Sequence, residues 1–130
     1  MDTLHQIIDT EGEVSPFKGN FYVSSLNSSS NVYCTFYNTQ LDQAWDENAS
    51  AMGPGATVTH ANAAVPCTDH RAVTGNRVAN GYLVPVPDTL TDGWYKVAFY
   101  ANATPASADE ILLSRYCYIK GGRIQSVDDL

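Results

Sequence analysis

The sequence is short of charge, and above all of positive charge. Only 16% of its 130 residues are charged, against roughly 25% in typical soluble domains. Seven Lys and Arg residues oppose fourteen Asp and Glu residues, which gives a formal net charge of −7. Nucleic-acid binders owe much of their affinity to clustered cations that neutralise phosphates. We therefore expect no nucleic-acid partner.

Long apolar runs are also missing. No stretch approaches the ~18 consecutive apolar residues of a membrane-spanning helix. Residues 1–14 contain no Lys or Arg and no continuous apolar segment, so they do not have the pattern of a secretory signal. We expect a protein that is made in the cytoplasm and does not insert in a membrane.

Cysteines are few and widely spaced. Cys34, Cys67 and Cys117 form no CxxC pair, which favours three small buried apolar side chains in a reducing compartment. A disulfide between Cys34 and Cys117 is the alternative, because both lie in β-like runs between aromatic residues. Their spacing does not decide between the two.

The sequence contains none of the common catalytic or cofactor motifs. It has no GxSxG serine motif and no GxGxxG or GxxxxGK[ST] glycine motif. Cys67, Asp69 and His70 form one local group with metal-ligand chemistry, but no second pair of ligands follows at a zinc-site spacing. We expect a protein that is not an enzyme, with no cofactor and no metal site.

What the sequence has is aromatic and aliphatic residues that alternate with polar ones. It contains eight Tyr, four Phe and two Trp residues. Period-two alternation between turn signals predicts strands at Asn20–Leu26, Val32–Tyr37, Leu41–Trp45, Val78–Val86, Trp94–Ala101, Ile111–Lys120 and Arg123–Val127. The polar run 27–31 predicts that the first two strands form a hairpin. Many short strands with regular turns predict an all-β fold, an antiparallel Ig-like β-sandwich.

The domain organisation follows from this pattern. Residues 1–16 form a predicted N-terminal arm, and residues 17–130 form the β-sandwich domain. Within the arm, Leu4, Ile7 and Ile8 have the spacing of a short amphipathic helix, with an extended arm or edge strand as the alternative. We expect these three side chains to contact a neighbouring molecule.

A long loop is predicted at residues 46–76. It contains Gly53-Pro54-Gly55, many alanines and few large apolar residues. Only Ala56–His60 offers a weak strand. Loops of this length within small domains often carry function.

Alternation along the strands divides the aromatic residues into two sets. The predicted core set comprises Phe36, Tyr95 and Phe99. The predicted outward set comprises Trp94, Tyr100, Tyr116 and Tyr118. Tyr and Trp are enriched at interfaces and contribute much of their binding energy, so the outward set is the candidate contact surface. The alternative is that a helix or loop covers this face.

Three stretches of the C-terminal half carry a resemblance. They are Gly81-Tyr-Leu-Val, Leu90-Thr-Asp-Gly-Trp-Tyr-Lys-Val-Ala-Phe-Tyr and Thr104-Pro-Ala-Ser-Ala-Asp-Glu-Ile-Leu. Together they resemble a small Ig-like β-sandwich module of tailed-bacteriophage virion proteins, of the decoration or fibre-adaptor type. The resemblance implies a structural virion protein that decorates or stabilises the capsid, or adapts a fibre, through protein–protein contacts.

The resemblance also implies where the protein acts and what it contacts. The expected partners are the major capsid protein or a tail or fibre protein, with the chain present as a homo-oligomer or bound in a lattice. The expected location is the virion, after synthesis in the host cytoplasm.

The alternative function is a carbohydrate- or receptor-binding module that stacks a host glycan on exposed aromatic residues, with Trp45 added to the outward set.

Overall fold

The computed structural model describes residues 13–17, 20–24, 32–69, 82–105, 107 and 110–128. These residues form eleven strands and one short helix. The strands are β1 (Glu13–Phe17), β2 (Asn20–Ser24), β3 (Tyr33–Asn38), β4 (Gln43–Asp46), β5 (Ala51–Pro54), β6 (Val65–Pro66), β7 (Thr68–Asp69), β8 (Tyr82–Leu83), β9 (Gly93–Tyr100), β10 (Leu113–Lys120) and β11 (Arg123–Asp128). The helix is α1 (His60–Ala63).

The strands form two sheets. The small sheet has the order β1-β2-β8-β7, and the large sheet has the order β11-β10-β9-β3-β4-β5, with β6 also paired to β3. Every strand pair is antiparallel. The all-β prediction is therefore confirmed. No helix among the described residues is long and apolar enough to cross a membrane.

One hydrophobic core takes side chains from both sheets. Val23 and Tyr82 of the small sheet belong to the same buried cluster as the inward residues of the large sheet. Phe36, Tyr95 and Phe99 are fully buried in it, so the predicted core set is confirmed. Burial alternates along β3, as expected for a strand with one face on the core.

The predicted hairpin between residues 20–26 and 32–37 is wrong. β2 pairs with β1 and β8 in the small sheet, whereas β3 pairs with β9 in the large sheet. In that pairing Cys34 lies opposite Phe99 and Phe36 lies opposite Val97, all of them core residues. A polar run signals that the chain reverses direction, but it does not specify that both strands enter the same sheet. Residues 25–31 lie outside the described part of the chain.

The described part of the predicted 46–76 loop contains several elements. β5 extends the large sheet from β4. The weak strand predicted at Ala56–His60 is wrong, because a turn is followed by the start of α1 at His60. The Thr59 hydroxyl oxygen caps this helix by accepting a hydrogen bond from the Asn62 N–H at 3.1 Å.

The segment 65–69 passes from one sheet to the other. β6 pairs with β3 of the large sheet, and β7 pairs with β8 of the small sheet. Between them, the Cys67 N–H donates to the Val32 carbonyl at 2.8 Å. This crossing ties the two sheets together beside the core.

Two glycines form the turn of the C-terminal hairpin between β10 and β11. Gly121 and Gly122 have φ values of 62° and 75°, the left-handed region that favours glycine. The predicted strands at 94–101, 111–120 and 123–127 correspond to β9, β10 and β11. Of the predicted strand 78–86, residues 82–83 form β8, and residues 78–81 lie outside the described part.

The predicted boundary between the N-terminal arm and the β-sandwich domain falls on a strand, β1. The predicted junction between residues 16 and 17 lies inside this strand, which pairs along its whole length with β2. Leu4, Ile7 and Ile8 lie outside the described residues.

Candidate functional site

The outer face of the large sheet, opposite the core, carries a row of polar and aromatic side chains. In the strand register Tyr37 lies opposite Lys96, Lys96 opposite Tyr116, and Tyr116 opposite Asp128. Residues directly opposite each other on one face of a sheet are close enough to interact. The row therefore runs across four strands, from β3 to β11.

Three aromatic residues of β9 and β10 form what we call the aromatic patch: Trp94, Tyr116 and Tyr118. Trp94 lies opposite Tyr118, with 5.4 Å between ring centroids and 54° between ring planes, a geometry favourable for aromatic pairs. Tyr116 is 36% exposed, and the other two side chains are half-buried. All three predicted contact residues thus reach solvent together.

A shallow depression of about 320 Å³ adjoins the patch. Trp94 and Tyr116 line it together with three exposed polar residues, Thr39, Gln40 and Asp128. Aromatic surface surrounded by hydroxyl, amide and carboxylate groups can bind an amphipathic partner, because the partner's apolar parts pack on the rings and its polar parts form hydrogen bonds with the surrounding groups.

The backbone beneath the patch is held by polar contacts at the start of β9. The Tyr95 hydroxyl donates to the Thr91 carbonyl at 2.8 Å and lies 2.9 Å from the Thr91 hydroxyl. The Asp92 carboxylate accepts from the Gly121 N–H at 3.0 Å, which fixes the β10–β11 turn to the same region. β9 and β10 each contain eight residues, and neither is an edge strand. The patch is therefore carried on a firmly anchored part of the sheet.

The prediction that Tyr100 is an exposed contact residue is wrong. Tyr100 is only 1% exposed, although alternation does place it on the outer face. The chain around α1 covers this end of the face, and the His60 ring packs edge-on against the Tyr100 ring with 6.2 Å between centroids. Burial raises the pKa of the Tyr100 hydroxyl, and a hydrogen bond with Thr35 opposes that rise.

A cavity of about 200 Å³ lies where this covering segment meets the sheet. Its walls include Lys96 and Tyr100 from β9, Tyr37 from β3, and Val58 and His60 from the covering segment. The outer face is thus divided into a covered end that contains this cavity and an open end that contains the aromatic patch.

Tyr37 is a residue of this face that sequence reasoning did not select. Its hydroxyl donates to the Asp42 carboxylate at 2.6 Å, and that hydrogen bond raises the pKa of Tyr37. A Cβ on Gly55 would lie 2.8 Å from the Tyr37 ring, so glycine permits this packing. The alternation of β3 could have identified Tyr37, because it places Tyr37 on the face of the strand opposite to the core residue Phe36.

Trp45 does not contribute to an exposed stacking platform. Its side chain belongs to the buried core, and its indole N–H donates to the Glu47 carboxylate at 2.7 Å. The part of the alternative function that relied on Trp45 is therefore wrong.

The described residues offer no group of three or more His, Cys, Asp or Glu side chains that could hold a metal ion. His70 of the Cys67–His70 group lies outside the described part. The three cysteines are free and buried. Cys34 and Cys117 lie on β3 and β10 with β9 between them, and they are opposite different β9 residues, Phe99 and Tyr95. Their backbones are therefore more than about 10 Å apart, beyond the ~7 Å limit for a disulfide.

A comparison of the chain with protein-family models, with curated proteins and with solved structures finds no match. The most distinctive chemical feature of the outer face is the aromatic patch.

Proposed function

We propose that this protein is a non-enzymatic structural protein of a tailed-phage virion, which decorates or stabilises the capsid or adapts a fibre. In this proposal the aromatic patch is its contact surface. The observation that carries it is the grouping of Trp94, Tyr116 and Tyr118 on two adjacent anchored strands, where all three reach solvent. Tyr and Trp on a rigid surface contribute strongly to protein association, because they bury large areas with few rotatable bonds.

The surroundings of the patch suit a protein partner. Lys96 lies opposite Tyr116 on one side and Asp128 lies opposite it on the other, so charges of both signs border the aromatic rings. An interface with an apolar centre and a polar rim has this composition. Contacts that depend on aromatic burial are also less sensitive to salt than contacts between exposed charges.

Multiple copies would strengthen a modest individual contact. In a symmetric particle or a homo-oligomer, neighbouring copies hold each patch near its partner, so the effective concentration is high. The predicted arm residues Leu4, Ile7 and Ile8 would add a second contact to the same neighbour. The partners in this proposal are other virion proteins.

The test is incorporation into particles. Tagged chain is expressed in infected host cells, and gradient-purified particles are probed for it. We expect incorporation of the original chain and a loss of at least tenfold for Trp94→Ala and for Tyr116→Ala. Leu112→Ala is the matched control, because Leu112 is an exposed apolar residue outside the patch, and this variant should be incorporated normally. Absence of the original chain from particles would refute the proposal.

A second candidate function is glycan binding, and one observation favours it. The depression beside Trp94 and Tyr116 is lined by Thr39, Gln40 and Asp128, which offer donors and acceptors for sugar hydroxyls next to a stacking surface. A glycan array probed with the original chain and with Trp94→Ala distinguishes this function. Binding that disappears in the variant supports it, and an array without signal removes it.

A further inference from the structure

Two cysteines from distant parts of the sequence meet in the core. Contact with Cys67 is among the causes that raise the pKa of the Cys34 thiol, and both side chains belong to the buried cluster. Both thiols are free. No sequence motif joins them, and the pair arises because the 65–69 crossing segment packs beside the start of β3.

The backbone holds this pair in place independently of the thiols. Cys34 lies opposite Val65 in the β3–β6 pairing, and the Cys67 N–H donates to the Val32 carbonyl at 2.8 Å. The two cysteines thus sit diagonally on neighbouring hydrogen-bonded chains, with both side chains in the core. Diagonal neighbours of this kind have Cα atoms roughly 7–8 Å apart and Cβ atoms somewhat closer, so a disulfide between them requires the two backbones to move slightly towards each other.

We propose that Cys34 and Cys67 form a disulfide when the folded protein meets a peroxide, and that this bond staples the large sheet to the segment that crosses to the small sheet. The two thiols have different roles because their exposure differs. Cys67 is 8% exposed, whereas Cys34 is 0% exposed. Cys67 is therefore the thiol that meets the oxidant, and Cys34 is the thiol that resolves the first product.

The chemistry has two balanced steps. In the first, the Cys67 sulfur attacks one oxygen of hydrogen peroxide and the O–O bond breaks. The departing oxygen takes up the thiol proton and leaves as water, and Cys67 becomes a sulfenic acid. In the second, the Cys34 sulfur attacks the Cys67 sulfur, the S–O bond breaks, and the hydroxyl leaves as water with the Cys34 proton. The two sulfurs have lost two electrons, and the peroxide has become two water molecules.

Burial determines the rate of this reaction. Desolvation, and next the hydrogen bond with Cys67, raise the pKa of the Cys34 thiol well above its ordinary value. Only a small fraction of Cys34 is thiolate at neutral pH, so the disulfide forms slowly. It forms only because the sulfenic acid on Cys67 lies next to the Cys34 sulfur. Cys117 stays reduced, because burial raises its pKa to about 12 and β9 separates it from Cys34.

The test is peroxide treatment of the folded full-length chain, followed by mass spectrometry and by thiol titration in denaturant. We expect a mass loss of about 2 Da and a fall from three titratable thiols to one. Peptide mapping should join Cys34 to Cys67. The denaturation midpoint should rise by roughly 10 °C, because the bond closes a loop of more than thirty residues. A dithiol reductant should reverse both changes.

Variants separate the proposed pair from other oxidation. Cys117→Ala is the matched control and should lose about 2 Da like the original chain, whereas Cys67→Ala should not. The mass readout applies at any temperature at which circular dichroism shows the variant folded. Three thiols that stay reduced, a Cys67 sulfinic acid without a disulfide, or a disulfide that includes Cys117 would each overturn the proposal.

Discussion

The division of the outer face into a covered end and an open end predicts unequal effects of two similar substitutions. Tyr100→Ala removes a side chain that is 1% exposed, and Tyr116→Ala removes one that is 36% exposed. Both residues lie on the outer face of adjacent strands. The loss of intrinsic strand preference is therefore about the same for both and cancels in the comparison.

The size of the difference follows from burial. Replacing a large buried aromatic residue by Ala destabilises a protein by about 3–5 kcal/mol, and Tyr100→Ala also removes the surface on which His60 packs. Tyr116→Ala should lower the free energy of unfolding by at most ~1 kcal/mol, because surface substitutions have small effects. The difference between the variants should therefore be about 3 kcal/mol.

Urea denaturation followed by tryptophan fluorescence measures this difference. With a dependence on urea of about 1–3 kcal/mol/M, the midpoint for Tyr100→Ala should lie 1–3 M below that for Tyr116→Ala. Equal midpoints would show that the segment around α1 does not cover Tyr100. In that case the open end of the outer face would extend to Tyr100.

Three further predictions test the contacts around this face. Burial raises the pKa of Tyr100 above the ordinary value of 10.0, so the folded state binds this proton more tightly than the unfolded state, and stability should fall as pH rises above 10. The thermal denaturation midpoint should therefore fall less steeply above pH 10 in Tyr100→Phe than in the original chain. An equally steep fall in both proteins would contradict the burial of Tyr100. Trp45→Phe should lower the free energy of unfolding in urea denaturation by the cost of a smaller core side chain plus about 1 kcal/mol for the lost hydrogen bond to Glu47. In a Glu47→Ala background the effect of Trp45→Phe should therefore be about 1 kcal/mol smaller, and an undiminished effect there would show that this hydrogen bond does not stabilise the fold. Gly55→Ala should lower the thermal denaturation midpoint by several degrees, because the new Cβ would lie 2.8 Å from the Tyr37 ring. An unchanged midpoint would mean that the Tyr37 ring can shift away from the new Cβ without cost.

Local patterns in the sequence were sufficient for the elements that depend on neighbouring residues. Period-two alternation identified β9 and β10 and assigned Tyr95 to the core. Gly121-Gly122, between the predicted strands 111–120 and 123–127, is typical of a hairpin turn, because two adjacent positive φ values favour glycine at both positions. Trp94 and Tyr118 followed from the same alternation. These features depend on backbone geometry that a few residues determine by themselves.

Other features depend on segments that are distant in the sequence. Tyr100 has the alternation of an outward residue, but its burial depends on His60 and the chain around it. β2 and β3 are near in sequence and yet enter different sheets, because each finds its partners elsewhere. The contact between Cys34 and Cys67 likewise depends on where the 65–69 segment crosses between sheets. Sequence periodicity contains no information on such long-range contacts.

Hydroxyl-radical footprinting with mass spectrometry tests the central claim most directly, because it reports solvent access residue by residue. The isolated chain and the same chain in purified particles are labelled under identical conditions. The proposal predicts that labelling of Trp94, Tyr116 and Tyr118 falls at least severalfold in particles, while labelling of Leu112 stays unchanged. Equal labelling of the three aromatic residues in both states would contradict the assignment of the aromatic patch as the contact surface.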